Sequence, residues 1–170
     1  MRVAVIGATG NAGTAVLRAL ADSPEVESIV GVARRVPEAG GEPYDGCEWK
    51  SIDIAAATPK DEAVADLAAA LEGADAVIHL AWLIQPNEDR ELLRRVNVEG
   101  VGRVVVASSV SAYSPDPARG GDGEAPLRDE TWPTGGIESS HYSVDKAAQE
   151  EVIDRFEAAH PDITVTRLRP

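Results

Sequence analysis

Residues 3–13 of the chain read VAVIGATGNAG, a short apolar run followed by three evenly spaced glycines. The run at residues 3–6 contains no polar side chain, which is typical of a parallel strand that is buried on both faces. Apolar residues then recur at helical spacing over residues 11–21. The stretch therefore predicts a buried strand, a tight glycine turn and a helix, in that order.

Each glycine of this turn has its own physical reason. Gly7 allows the tight passage from strand to helix, Gly10 lets the backbone approach a pyrophosphate, and Gly13 allows close packing of the helix on the sheet. The amino end of the helix adds N–H groups and positive potential for phosphates. The alternative is an ordinary strand-to-helix turn, and the strand and helix that flank the glycines favour the dinucleotide-binding interpretation. The predicted binding residues of the turn are Gly7, Thr9, Gly10, Asn11, Ala12 and Gly13.

Strands alternate with helices along the rest of the sequence. Further strands are predicted at residues 28–32, 48–54, 76–81, 104–107 and 163–168, and further helices at residues 59–71, 87–99 and 140–159. Such alternation predicts a single α/β domain with a doubly wound parallel sheet, Rossmann-like, with strand order 3-2-1-4-5-6 and helices on both faces. Ligands are then expected at the carboxyl ends of the strands, near the point where the strand order reverses.

Composition excludes several classes of partner. The 170 residues include 29 acidic and 16 basic side chains, for a net charge of −13, which argues against binding to nucleic acid or to an anionic membrane. The longest nearly apolar run, residues 74–84, is too short to span a bilayer. The single cysteine, Cys47, cannot form an internal disulfide and favours a cytoplasmic location. The three histidines lack metal-ligand spacing, so no metal site is predicted.

A basic pair follows the second predicted strand. An acidic residue at that position would hold the adenosine ribose of NAD. Arg34 and Arg35 stand there instead, and two guanidinium groups can pair with a 2′-phosphate. The pair therefore predicts NADP as the cofactor, with NAD less favoured. A solvated basic pair at a strand end is the alternative.

An acid/base pair is predicted on the last helix. Tyr142 and Lys146 are four residues apart, which places both side chains on one helical face. A nearby ammonium group favours the phenolate, so such a pair can exchange a proton with a substrate hydroxyl or carbonyl. A serine hydroxyl at the end of the fifth strand, from Ser108, Ser109 or Ser111, can hydrogen-bond the substrate oxygen. The alternative is a solvated lysine beside a half-buried tyrosine, with serines that cap the strand.

These motifs together resemble the short-chain dehydrogenase/reductase family, in its extended, epimerase/dehydratase-like branch, over the whole chain. The resemblance implies that Tyr142 is the acid/base, and that Lys146 is its electrostatic partner and a ligand of the nicotinamide ribose. It also implies that Ser109, four residues before Tyr113, is the donor to the substrate oxygen, with Ser108 and Ser111 as substitutes.

The resemblance extends the predicted cofactor site beyond the glycine turn. Asp53 would receive the adenine amino group and Ile54 would pack on the ring, while Asn97 would help to organise the site. The segment beside the cofactor would comprise Leu80, Ala81 and Trp82. His79, which precedes that segment, is expected to be a packed structural histidine.

The function expected from the resemblance is that of an NAD(P)-dependent oxidoreductase. It would move hydride between nicotinamide and a carbonyl or hydroxyl carbon of a small-molecule substrate. A sugar-nucleotide epimerase or dehydratase with the same site is one alternative, and a non-catalytic NADP-binding redox sensor is an alternative of another class. The resemblance also implies a homodimer and a C-terminal substrate domain, which we expect to lie beyond Pro170.

Overall fold

A parallel sheet of six strands forms the centre of the fold in the computed structural model, which describes residues 1–38, 41–54, 60–81, 103–116 and 129–170. The strands are β1 (Arg2–Ile6), β2 (Ser28–Ala33), β3 (Cys47–Ser51), β4 (Ala76–His79), β5 (Arg103–Ala107) and β6 (Thr164–Leu168). Their order is β3-β2-β1-β4-β5-β6, and every neighbouring pair is parallel. The predicted strand order is confirmed.

Helices cover both faces of this sheet. They are α1 (Asn11–Ala21), α2 (Lys60–Leu71) and α3 (His141–Ala159), and a short 3-10 helix, η1 (Val110–Ala112), follows β5. On one face, Leu17 of α1 packs on alternate residues of β1. On the other face, Leu67 of α2 and Ile153 of α3 pack on a continuous aliphatic layer. This two-sided burial explains why the central strands are rich in valine and isoleucine and carry few polar residues.

The strand ends at the carboxyl edge differ from the predicted ones. β3 ends at Ser51 and β4 at His79, two or three residues earlier than the apolar pattern indicates. Ile52 N still donates to Ala33 O at 3.1 Å and Leu80 N to Ile6 O at 2.9 Å, but the chain then leaves the ladder. The residues beyond these points border a cleft rather than a neighbouring strand. The predicted helix at residues 87–99 lies outside the described residues.

No helix in the described part of the chain combines the length and the apolar character that a membrane span requires.

Candidate active site

A cleft of about 310 Å³ opens at the carboxyl edge of the sheet, beside the point where β1 lies between β2 and β4. This is the location expected for a ligand in a doubly wound fold. Eight of the predicted cofactor-binding residues line it. They are Gly7, Thr9, Gly10, Arg34, Asp53, Ile54, Leu80 and Ala81.

The geometry of the turn explains two of its glycines by close packing. Gly7 has a φ of +84°, and a Cβ atom there would lie 2.7 Å from the backbone nitrogen of Ala81. A Cβ atom on Gly13 would lie 2.3 Å from Gly7 O, so a larger residue would push α1 away from the turn. Both positions therefore require glycine for the fold itself.

Gly10 is different, because neither its backbone nor its neighbours demand a glycine. Its φ is −74°, and an added Cβ would meet only Gly7 O, at 3.4 Å. The residue lines the cleft, so the missing side chain leaves room on the ligand side. A pyrophosphate can approach the backbone closely only where no side chain fills the space, and the open space at Gly10 meets this need. The turn therefore fits a dinucleotide.

The amino end of α1 meets the same requirement. Gly10 is the residue before the helix, no side chain in the described structure caps this end, and the first turn carries no acidic residue. The first N–H groups of a helix have no partner within the helix and attract anions. Asn11 and Ala12 are exposed at this end, whereas Gly13 is buried.

The two arginines after β2 differ in position. Arg34 lines the cleft, and its backbone carbonyl accepts a hydrogen bond from Ser51 Oγ at 3.3 Å. Arg35 is exposed and lies outside the lining of the cleft. Asp53 and Ile54, both half-buried, complete the adenine side that the sequence predicts.

Lys146 is buried, with an exposed fraction of 2%. Its Nζ atom donates to Ala107 O at 2.8 Å and to Gln149 Oε1 at 3.1 Å. Burial lowers the pKa of Lys146 to about 8, and the charge of Glu150 counters part of this effect. Lys146 is therefore an ammonium ion at neutral pH that can lose its proton in mildly alkaline solution.

Tyr142 is the exposed member of the pair. It is 40% exposed, and Lys146 Nζ lies 5.9 Å from the centroid of its ring. The structure thus brings the two predicted side chains together with the phenol toward solvent and the ammonium group inside. A phenol beside a buried cation can give or take a proton at a ligand that approaches from solvent.

The serine cluster is held by its own hydrogen bonds. Ser109 is buried, and its Oγ atom accepts a hydrogen bond from Ser111 N at 3.1 Å, which caps η1. Ser143 Oγ donates to Ser111 O and accepts a bond from Ile137 N at 2.7 Å. Because Ser143 follows Tyr142 directly, these bonds fix η1 against the start of α3.

The structure separates Ser108 from the other predicted donors. Its hydroxyl donates to Oε1 of Glu150, a carboxylate that is 1% exposed. The Ser108 hydroxyl proton is thereby committed to a buried group, and this contact favours Ser109 over Ser108 as the donor to a substrate. The sequence does not distinguish the two, because which of two adjacent serines turns inward depends on tertiary contacts.

His79 closes β4 in the interior of the sheet. It is 9% exposed, and burial lowers its pKa to about 4. A backbone hydrogen bond opposes this shift in part, and the charge of Lys146 adds a smaller lowering effect. The residue is therefore neutral at physiological pH, as a packed structural histidine is expected to be. Two predicted cofactor contacts, Trp82 and Asn97, lie outside the described residues.

A buried ionic cluster beside the site was missed from the sequence. Glu150 accepts hydrogen bonds from Arg169 Nε at 2.7 Å and Arg169 Nη2 at 3.0 Å, and Arg167 Nε lies 2.9 Å from its Oε2 atom. Arg169 Nη1 also donates to the Tyr113 hydroxyl at 3.1 Å. The available signal was the spacing of Glu150, one helical turn after Lys146 on the same face.

Comparison with known proteins agrees with this geometry. A family model described as "NAD dependent epimerase/dehydratase family" matches residues 3–170. No curated protein sequence matches the chain.

Several solved structures share the fold. UDP-glucuronic acid 4-epimerase from Bacillus cereus in complex with NAD is 18% identical, with a TM-score of 0.69, over 99% of this chain and 56% of that one. A short-chain dehydrogenase/reductase superfamily protein from Agrobacterium tumefaciens with bound NAD is 24% identical, with a TM-score of 0.68, over 99% and 48%. MoeE5 in complex with UDP-glucose and NAD is 26% identical, with a TM-score of 0.62, over 98% and 52%. The chain thus spans about half the length of these proteins.

Proposed function

Because the chain belongs to the NAD dependent epimerase/dehydratase family, we propose that it is an NAD(P)-dependent oxidoreductase of the extended short-chain type. Its substrate would be a small molecule with a carbonyl or hydroxyl group. The observation that carries this proposal is the pair formed by exposed Tyr142 and buried Lys146, on the same edge of the sheet as the glycine cleft.

The chain's own residues would hold the dinucleotide along the cleft. The pyrophosphate would lie against Gly10 and the amino end of α1, where the backbone is open and carries positive potential. Asp53 would accept the adenine amino group and Ile54 would pack on the ring. Leu80 and Ala81 would line the path of the cofactor toward β4, since both border the same cleft. When bound, the cofactor supplies or accepts hydride at C4 of its nicotinamide.

Three side chains would then transfer the proton of the substrate oxygen and stabilise the charge that develops on it. Tyr142 would give it a proton in one direction and take the proton back in the other. Lys146 would place a positive charge beside the phenol, and that charge favours the phenolate form when the proton leaves. Ser109 accepts a bond from Ser111 N, so its hydroxyl proton can be donated to the substrate oxygen and can stabilise developing charge there.

The cofactor proposed for this cleft is NADP. The residue that follows β2 and lines the cleft is Arg34, where a carboxylate would be expected for the ribose of NAD. Its guanidinium can make charge-assisted hydrogen bonds to a 2′-phosphate. Arg35 would act as a second charge, from outside the lining of the cleft. NAD, which is bound in the similar structures named above, is the competing cofactor.

An epimerase or dehydratase is the second candidate, and the family description favours it directly. Such an enzyme would use the same Tyr142 and Lys146, but the hydride would return to the substrate and the cofactor would stay bound through turnover. A reductase releases its oxidised cofactor after each cycle. Whether the cofactor exchanges during turnover therefore separates the two candidates.

The test uses both kinds of substrate with the same protein. The protein is incubated with NADPH and a panel of ketones, and separately with catalytic NAD or NADP and a panel of UDP-sugars. Loss of absorbance at the nicotinamide band supports a reductase, and conversion of a UDP-sugar without net loss of cofactor supports an epimerase or dehydratase. Saturable cofactor binding with no conversion in either panel would instead favour a redox sensor.

We also propose a cytoplasmic location and a homodimer. The location is supported by the single cysteine, because Cys47 has no second cysteine in the chain with which to pair. Burial raises the pKa of the Cys47 thiol, which keeps it protonated and poorly reactive. Sedimentation velocity of the protein at micromolar concentration tests the dimer.

A further inference from the structure

Glu150 is a buried carboxylate that joins three elements of the candidate site. It lies on α3, one turn after Lys146, and is 1% exposed. From β5, Ser108 Oγ donates to its Oε1 atom. From the end of β6, the Arg169 guanidinium donates to both of its oxygens, at 2.7 and 3.0 Å.

The surrounding groups keep this carboxylate ionised in spite of its burial. Burial raises the pKa of Glu150, but hydrogen bonds from Arg169 and Ser108, with the charges of Arg169 and Arg167, outweigh burial and hold the pKa below its usual range. A buried charge is tolerated where it is paired and hydrogen-bonded in this way. Glu150 is thus a fixed negative charge at neutral pH.

The first consequence concerns the strand end that carries Ser109. Ser108, the residue before it, is held by Glu150 through its side chain and by Leu168 O through its N–H group, at 2.8 Å. Val110, the residue after it, donates its N–H group to Pro170 O at 3.4 Å. Both neighbours of Ser109 are therefore held by hydrogen bonds, and Glu150 accepts the one that a side chain donates.

The second consequence concerns Lys146. Among the described groups near its Nζ atom are the ring of Tyr142 and the Gln149 amide on α3, and the carbonyl of Ala107 on β5. The neutral imidazole of His79 on β4 also interacts with it electrostatically. Glu150 adds a full negative charge to these dipoles and favours the ammonium form against the cost of burial. Glu150 itself faces Arg167 and Arg169 from β6 and Ser108 from β5.

We propose that Glu150 is a positioning residue for the reaction, because it fixes the strand end that presents Ser109 and places a negative charge one helical turn from Lys146. This inference rests on the proposed function for its meaning, but its two physical claims can be measured without turnover.

The lysine claim is tested by an NMR titration. The chain has three lysines, Lys50, Lys60 and Lys146, so ¹³C labelling at lysine Cε gives three signals, and Lys50→Arg and Lys60→Arg variants assign them. In the parent protein we expect Lys146 to titrate with a pKa of about 8, because burial lowers it. In Glu150→Gln it should titrate at lower pH, and each unit of the decrease leaves about tenfold less ammonium ion at alkaline pH.

The strand-end claim is tested by hydrogen exchange of the Ser111 amide, which is bonded to Ser109 Oγ in the parent. Glu150→Gln should speed this exchange, since the Ser108 anchor is weakened. Glu151→Gln is the matched control, because Glu151 is a neighbouring carboxylate that is 65% exposed and pairs with Arg155 on the surface. The control should leave both the Lys146 titration and the Ser111 exchange rate as in the parent.

A second variant keeps the test decisive if Glu150→Gln fails to fold. Glu150→Gln leaves two half-buried guanidinium groups with less compensating charge, so both measurements are also made on Glu150→Gln/Arg167→Gln, in which one of those groups is removed. Glu150→Asp, which keeps the charge, should restore the Lys146 titration toward the parent value.

The outcomes separate this inference from the proposed function. A lower Lys146 titration together with faster Ser111 exchange supports the inference, even if no substrate is ever turned over, in which case only the proposed function fails. A Lys146 titration or a Ser111 exchange rate equal to that of the parent, in a folded Glu150 variant, overturns the inference even if the protein proves to be an active oxidoreductase.

Discussion

Lys146 Nζ donates a 2.8 Å hydrogen bond to Ala107 O, so the helix that carries Tyr142 is tied to the last residue of β5. Ser109 lies two residues beyond that carbonyl. The proposed acid/base pair and the proposed oxyanion donor therefore belong to one hydrogen-bonded unit, to which Ser143 adds a second link through Ser111 O. In the proposed reaction this unit would position the substrate oxygen, and the glycine turn would position the cofactor.

The phenol of Tyr142 is the group whose loss should affect turnover most. Tyr142→Phe keeps the ring over Lys146 but removes the proton donor, so turnover should fall by about 10² to 10⁴, the usual worth of general acid–base catalysis. Turnover is measured with whichever substrate the parent converts, and cofactor affinity should barely change.

Tyr44→Phe is the matched control for this substitution. The Tyr44 hydroxyl also shares a hydrogen bond, with Thr14 Oγ1 at 3.0 Å, but Tyr44 lies outside the lining of the cleft. We expect Tyr44→Phe to retain turnover close to that of the parent. Equal turnover in Tyr142→Phe and the parent would show that another group handles the proton.

Arg34 and Arg35 should determine the preference between the two cofactors. Replacing both with alanine should weaken NADPH binding by about 1–3 kcal/mol through lost charge-assisted hydrogen bonds, and should leave NADH binding almost unchanged. Arg34→Ala alone should account for most of the loss, because Arg34 lines the cleft and Arg35 does not.

Fluorescence titration with each cofactor gives the two affinities. Arg155→Ala, which removes an exposed arginine on the far part of α3, controls for the change in net charge. An equal loss for NADPH and NADH would mean that the arginines do not bind the 2′-phosphate.

His79 should make the fold sensitive to acid. Its pKa is about 4 in the folded protein and near 6.5 when unfolded, so the unfolded chain binds the proton first as the pH falls. The contribution of His79 to the free energy of unfolding is therefore fully present above pH 6.5. It is lost as the pH falls from 6.5 to 4, and the loss amounts to about 3 kcal/mol.

Urea unfolding of the parent and of His79→Gln at a series of pH values measures this contribution. Data at pH 8 give the baseline cost of the substitution, since the imidazole is neutral there in both states. The decrease in the free energy of unfolding between pH 6.5 and 4 should be smaller in His79→Gln than in the parent. A parallel loss in the two proteins would assign the acid sensitivity to other groups.

The parts of the site that local rules govern were predictable from the sequence. The glycine turn follows from the spacing of Gly7, Gly10 and Gly13 between a buried strand and a helix, and the close contacts at Gly7 and Gly13 agree with the packing roles expected of them. The proximity of Tyr142 and Lys146 follows from helical periodicity alone. The alternation of strands and helices predicts the parallel sheet, and its strand order is the one expected of a Rossmann-like fold.

The parts that depend on contacts between distant segments were not predictable. Glu150 resembles a solvated helix residue in sequence, and only the approach of Arg167 and Arg169 from β6 makes its burial tolerable. The different roles of Ser108 and Ser109 follow from the same contact. The early ends of β3 and β4 reflect a cleft that hydrophobic alternation along one strand cannot reveal.

Cofactor binding at Gly10 tests the account most directly. Gly10→Val places a branched side chain where the pyrophosphate is expected, while the φ of −74° and the absence of close neighbours in the described structure let the fold persist. Gly46→Val is the matched control, because a Cβ atom at Gly46 meets nothing within 4 Å and the residue lies outside the cleft. In isothermal titration with NADPH and NADH, the parent and Gly46→Val should bind at least one of them saturably, and folded Gly10→Val should bind neither. Binding to Gly10→Val with the affinity of the parent, or no binding to the parent at all, would contradict the account.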